Sequence, residues 1–325
     1  MRFAFTDDQL AFRDALCDLL TRECSPAVVR DAWTNDTGRA KGLWPQLAEM
    51  GVLGALAPEV RGGLGLSEID AVLLIEETGY AAVPEPIVEH MLVGVPLLAA
   101  AGDPRTATAD LTISGQCVHE PIVNYADTAT LIFLHHDDGL HVLARDDTQL
   151  TSHPSVDGSR RTALVTWTPT TETAIGDAAD AQRAFDRGAL GTAAQLIGVT
   201  RRMLDLTVAY ASERQQFGVP IGSFQAVKHH LADARIALEF ARPLTYRAAW
   251  SMAEDDPAAP VHVSMAKAAA NDAAALTSRK ALQCHGAIGY SFEYDLHLFM
   301  KRAWALVQIW GDSAWHRARV ARAIL

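Results

Sequence analysis

Residues 211–234 read ASERQQFGVPIGSFQAVKHHLADA. The stretch decides the fold because it joins two long helical patterns. Before it, Leu196, Val199, Met203, Leu206 and Tyr210 step by three and four, and after it Phe224, Val227, Leu231, Ala234, Leu238 and Ala241 do the same. Each set makes an apolar seam about two residues wide per turn, as in the helices of a bundle. At the joint the first helix stops on Arg214, with Phe217 and Gly218 just behind. A guanidinium there complements the helix dipole. Being planar and always charged, it also suits an anion such as a phosphate.

Two further helical patterns follow. An alanine-rich one covers about 260–284 and ends at His285-Gly286, where Gly286 or Gly289 is a natural C-cap. The other starts near Asp295, passes Met300, Trp304 and Val307, and is broken by GDS at 311–313 before a closing basic turn. Pro243 is expected to kink or interrupt the second helix. Four long helices with short connections predict a four-helix bundle over 176–325.

The chain ahead of the bundle divides in two. Thr6, Asp7, Asp8 and Gln9 form a capping box with acidic groups at the positive end of a first helix, and Phe5 and Leu10 occupy the staple positions. Apolar periodicity returns near 42–54, 67–80 and, more loosely, 88–102. The glycines of PEVRGGLGLSEID, residues 58–70, lack both a preceding strand and a GK[ST], so the segment is expected to be a turn with Ser67 as the next N-cap. Residues 106–175 read differently. TLIFLHH (130–136), DDG and LHVLAR (140–145) spell a hairpin, and RTALVTWTP (161–169) another strand. The expected class is therefore mainly α, with a helical part over 1–105, a small middle β domain over 106–175 and a C-terminal bundle.

Composition narrows the function. Of 325 residues 49% are hydrophobic and 21% charged, as in globular proteins. Residues 1–180 carry 11 basic against 27 acidic side chains, and residues 181–325 carry 17 against 12. So mild and lysine-poor a basic excess argues against nucleic acid, while leaving room for a small anionic molecule. Cysteines 17, 24, 117 and 284 form no CxxC pair and no His/Cys cluster has zinc spacing, so no metal is expected and the thiols read as buried and reduced. The longest apolar run, MLVGVPLLAAAG, is 12 residues and contains a proline, too short for a membrane span. With two acids where a signal peptide needs apolar residues, a cytoplasmic location is expected.

The order of parts, together with FTDDQLAFRDAL, LWPQLAEMGVLGALAPEVRGGLGLSEIDAVLLIEETGY, ASERQQFGVPIGSFQAVKHHLADA and QCHGAIGYSFEYDLHLFMKRA, resembles the acyl-CoA dehydrogenase family. The resemblance implies FAD as cofactor and oxidation of the Cα–Cβ bond of an acyl thioester. It implies that Arg214 reaches across a subunit interface to the pyrophosphate of a neighbour's FAD and that Phe217 packs beside the flavin side of that cofactor. It further implies that Gln225 contacts the FAD and that Gln283, Cys284, His285, Gly286 and Ala287 line its ADP half. Taken singly, Gln225 also reads as a solvated helix residue, Gly286 as a C-cap and His285 as a packed or capping histidine with no catalytic role.

The chain departs from that pattern at the chemistry. The family's glutamate, which takes the proton α to the thioester, falls at Trp310 or Gly311 here, and its alternative position falls at Gly188. None of these can accept a proton. Asp312 is a nearby carboxylate that reads more simply as the N-cap of the last helix. Glu293 belongs to a phrase that does not supply the base. The middle domain has CVHEP at 117–121 and then none of the family's flavin-cradling phrases. The resemblance thus implies the smaller, base-lacking subunit of a heteromeric α2β2 enzyme of the actinobacterial sterol-degrading kind, whose full-length homologous partner supplies the glutamate and which acts on a bulky acyl-CoA. Two alternatives stay open: a self-sufficient homo-oligomer with Asp312 as base, and a scaffold or regulatory bundle that binds no flavin.

Overall fold

The computed structural model describes residues 4–103, 110–116 and 122–325. CVHEP and Cys117 lie outside the described residues. The N-terminal part holds α1 (Asp7–Glu23), α2 (Pro26–Thr34), α3 (Leu43–Glu49), α4 (Glu68–Tyr80) and α5 (Val95–Ala100). The Thr6 box forms as expected: Gln9 N donates to Thr6 Oγ1 at 3.2 Å and Thr6 N donates to Gln9 Oε1 at 2.8 Å. At α4, Asp70 accepts from the backbone N and the hydroxyl of Ser67, both at 2.8 Å, and its other oxygen accepts from Gln9 Nε2 at 2.7 Å, so the starts of α1 and α4 are tied together. Before α5 the chain runs through a π-helical segment, Val88–Gly94. Pro96 offers no N–H to the ladder, and the Val95 N–H bonds the His90 carbonyl five residues back. That wide turn aims Glu89 and His90 at the next layer.

The middle layer has β1 (Ile113–Gln116), β2 (Ile122–Asn124), β3 (Leu131–His136), β4 (Gly139–Ala144), β5 (Gln149–His153), β6 (Thr162–Thr166) and β7 (Ala174–Gly176). They form two sheets, ordered β1-β3-β4-β7 and β2-β6-β5. The expected hairpin is present: β3 and β4 pair antiparallel from Leu131↔Ala144 to His136↔Gly139 around a two-residue turn. Ile132, Leu134 and Leu143 meet Val123, Ala163 and Val165 of the other sheet in a small core of their own. The opposite face of the first sheet, Leu131, Phe133 and Leu140, joins the helical core. This layer has more strands than the sequence reading found. The unread ones are three to five residues long and lack alternation; β1 is buried throughout and β5 almost wholly exposed.

The bundle follows: α6 (Ala178–Glu213), a hairpin of β8 (Gln215–Gln216) and β9 (Val219–Pro220), α7 (Gln225–Ala253), α8 (Ala259–His285), α9 (Leu296–Leu306) and α10 (Ser313–Ile324). The fourth arm is split between α9 and α10, and the expected closing turn is a 12-residue helix. Pro243 does not interrupt α7. Pro243 and Glu239, whose carbonyl loses its donor, are both exposed, so water can satisfy that group. Of the free thiols Cys24 is buried, whereas Cys17 and Cys284 are half-buried, against the expectation of burial for all. No helix among the described residues is long and apolar enough to cross a membrane.

The uneven charge of the sequence closes on itself between layers. Glu68 pairs with Arg187 at 2.8 Å, and Glu76 and Glu77 with Arg201 at 2.9 and 2.6 Å. Arg242 also approaches Glu76, at 3.4 Å. Asp157 of the middle layer pairs with the buried Arg302 of α9, whose other nitrogens bond Val83 O and Ser159 Oγ at 2.9 and 2.7 Å. Much of the basic excess of the bundle thus neutralises acids of the preceding parts and is not available to a ligand.

Candidate functional site

The antiparallel course of α6, α7 and α8 brings the end of α6, the start of α7 and the end of α8 to one end of the bundle. Arg214 caps α6 in an extended conformation, its N–H on Tyr210 O at 2.9 Å. One turn earlier, the Tyr210 ring stacks on His285 with centroids 4.3 Å apart, which fixes the end of α8 against the end of α6. Arg214 is exposed, and among the described residues no ion pair or side-chain hydrogen bond engages its guanidinium. The β8–β9 turn then places Phe217 and Gly218 at φ 55° and 81°. A two-residue hairpin turn of this hand needs positive φ at both central residues. Glycine adopts it freely; phenylalanine does so at a steric cost. Phe217 is nonetheless 93% exposed, touching Phe224 edge-on at 6.2 Å.

The remaining predicted residues share this end. Gln225 is the first residue of α7 and exposed. Gln283 and Ala287 are exposed and Cys284 half-buried, its thiol pushed up by burial. Gly286 ends α8 at φ 68°, and a Cβ there would meet nothing within 4 Å, so the surface before it is open. His285 differs from the others. Its ring is buried between Tyr210 and Tyr294, with Nδ1 on Ala281 O at 2.8 Å, so only its backbone faces the open surface. Tyr290 and Phe292, 53% and 68% exposed, extend the apolar surface next to this turn. A cationic, partly aromatic and open surface fits the ADP half of a dinucleotide.

The two positions where a base is expected touch each other. Trp310, in the turn after α9, is 1% exposed, and its ring lies 6.3 Å from that of Phe133 and 6.0 Å from that of Phe185. A Cβ on the buried Gly188 would lie 2.3 Å from the Trp310 ring. The indole therefore occupies the space beside residue 188. Two side chains that the sequence reading passed over hold this turn. Lys267, a buried lysine in the alanine-rich α8, donates to Asn271 Oδ1 at 2.7 Å, Gly311 O at 3.1 Å and Leu306 O at 3.3 Å; burial holds its ammonium down to about 7. His316 bonds Trp310 O through Nε2 at 2.8 Å and Ser264 Oγ through Nδ1 at 3.0 Å. Asp312 accepts the Trp315 N–H at 2.8 Å and so caps α10. Glu293 is exposed, its N–H on Ser291 Oγ at 3.3 Å. The predicted cofactor residues thus share the open end of the bundle, while Trp310 packs among Phe133, Phe185 and Gly188, and neither residue 188 nor residue 310 carries a proton-accepting group.

A helical layer, a small two-sheet layer and a bundle with this open end define the class. Residues 6–108 match the family model for the acyl-CoA dehydrogenase N-terminal domain and residues 178–325 that for the C-terminal domain. The chain belongs to the acyl-CoA dehydrogenase family of oxidoreductases. Among individual relatives it is similar to "Acyl-CoA dehydrogenase IpdE2" of Mycolicibacterium smegmatis, 34% identical over 94% of this chain and 95% of the relative. In fold it matches a chain of the ChsE4-ChsE5 complex from Mycobacterium tuberculosis (TM-score 0.90, 23% identity, 100% and 99% of the two chains). It also matches the Tcur3481-Tcur3483 steroid ACAD G363A variant (TM-score 0.88, 21% identity, 98% of each chain).

Proposed function

We propose that this chain is the base-lacking subunit of a heteromeric, FAD-dependent acyl-CoA dehydrogenase. FAD supplies the acceptor for the hydride that leaves the β carbon of the acyl thioester. This chain's part is binding. The Arg214 guanidinium offers a fork of donors to the pyrophosphate. Phe217 covers the cofactor on its flavin side, and Gln225 with the 283–287 turn lines the ADP half. The proton-accepting glutamate and the thioester pocket belong to the partner, a homologous full-length dehydrogenase in an α2β2 assembly. With half the thioester sites closed, the partner's pocket has room to widen, which suits a bulky, ring-containing acyl-CoA, steroid-derived ones included. The observation that carries this reading is the pair Gly188 and Trp310: neither expected base position carries a carboxylate, and the buried Trp310 indole packs directly on Gly188. The exposed, strained Phe217 beside an unpaired Arg214 supports it, since neither serves the lone chain.

The test is co-expression with the acyl-CoA dehydrogenase encoded beside it, followed by a flavin count. One FAD per two polypeptides is expected, and Arg214→Ala in this chain should weaken flavin retention at least tenfold. One FAD per chain, or an isolated chain that takes up stoichiometric flavin and bleaches it with a thioester, overturns the reading.

A further inference from the structure

The β3–β4 hairpin carries a cluster that the dehydrogenase reading does not use. His136 at the end of β3, Asp138 in the turn and His141 in β4 place one ligand atom each within 4.8 Å of one another. Asp138 Oδ1 lies 2.7 Å from His136 Nδ1 and 3.0 Å from His141 Nε2, so two ring nitrogens converge on one carboxylate oxygen. The register explains the convergence. His136 pairs with Gly139 and His141 with Leu134, so both imidazoles lie on the same face of the sheet, the face that carries Ile132, Leu134 and Leu143 into the small core. They stand at the outer rim of that core: the His141 side chain is fully buried, whereas those of His136 and Asp138 are 43% and 61% exposed.

From this geometry we infer a binding site for one divalent transition-metal ion of the Zn2+ type, held by His136 Nδ1, Asp138 Oδ1 and His141 Nε2, with a fourth position open to water. Two imidazoles and a carboxylate suit Zn2+ and its borderline neighbours; Mg2+ and Ca2+ prefer all-oxygen shells. Tetrahedral ligands at about 2.0–2.1 Å from a metal stand roughly 3.3 Å apart, so the two His–Asp separations of 2.7 and 3.0 Å need to open by roughly 0.3–0.6 Å. The outer support is already in place. His141 Nδ1 meets Thr173 Oγ1 at 2.9 Å, and Thr173 in turn is bonded to the Thr170 carbonyl at 3.0 Å. A second hydrogen bond of this kind normally fixes the tautomer and ring angle of a metal-ligating histidine. Trp167 packs on both rings, with centroids 5.9 and 5.1 Å away. The exposed position of two ligands provides an entry path. A metal here would pin the hairpin tip to the 170–173 turn beside the start of α6.

The test uses the full chain with any affinity tag removed and metal stripped by chelator, titrated with Co2+ and Zn2+. One equivalent of Co2+ should produce the visible ligand-field bands of a four-coordinate ion, and Zn2+ should displace it. His136→Ala and Asp138→Asn alter exposed side chains and should keep the thermal melt of the parent while lowering affinity at least tenfold. Absence of a saturable site, or equal affinity in both variants, would show that the trio is only a hydrogen-bonded cluster and overturn the inference.

Discussion

Residue 310 shows how one side chain shapes the space around it. A tryptophan there cannot take a proton, and its indole also fills the space beside Gly188. His316 holds the Trp310 carbonyl from behind, and burial holds its imidazole down to about 4 from an ordinary 6.5. The native state therefore keeps this ring neutral while the unfolded chain takes up a proton below pH 6.5. Its contribution to stability is fully present above that pH and is lost as the pH falls from 6.5 towards 4. Urea unfolding across this range should show His316→Gln losing stability less steeply than the parent, by up to about 1.4 kcal/mol per pH unit. An equal slope in the two proteins would mean that His316 is already charged in the fold. The aromatic filling itself was not legible in the sequence. Gly188 and Trp310 could each be seen to lack a base, but only packing brings residues so far apart in the chain into contact.

Helices are the elements that the sequence announced best, because caps and seams are local. The Thr6 box and the Ser67 cap lie where the residues predict them. So does the third: Asp312 sits at the start of α10 with its carboxylate on the Trp315 N–H. That position gives a way to separate capping from catalysis. Asp312→Ala should cost about 1 kcal/mol in chemical denaturation, whereas Asp312→Asn, which caps as well, should be nearly neutral. If the cap is its whole role, the Asn variant also leaves flavin reduction by the assembled complex unchanged; a loss of turnover there would revive Asp312 as a base. Elements were misread where the deciding contact is distant or where a signal was passed over. The short strands β1, β2, β5 and β7 exist because two sheets stack over Val123 and Ile132, not because three to five residues prefer to be extended. Helix α2 was missed although Ser25-Pro26 marks an N-terminus.

At the scale of the molecule, three layers are tied by buried ion pairs, and the charge asymmetry of the sequence is their imprint. Arg302 is 3% exposed and Asp157 1%, and the pair links the bundle to the middle layer and, through Val83 O, to the N-terminal helices. Asp157→Ala would leave a guanidinium buried without its anion and should destabilise the chain by about 3–5 kcal/mol, whereas replacing Asp157 and Arg302 together by apolar residues should cost much less. Equal losses in urea unfolding for the single and double variants would show that the ion pair itself, not the stranded charge, carries the effect. The chain's own pattern was enough to place the long helices and the β3–β4 hairpin, since helix periodicity and turn chemistry are properties of neighbours in sequence; the residues now found at one end of the bundle were singled out by the family resemblance instead. Folding alone decided that most of the basic excess turns inward, that an indole fills the space beside Gly188, and that His136, Asp138 and His141 converge. The first two depend on side chains meeting across layers, and the third on the exact register and rotamers of the hairpin, which the residue pattern alone does not give.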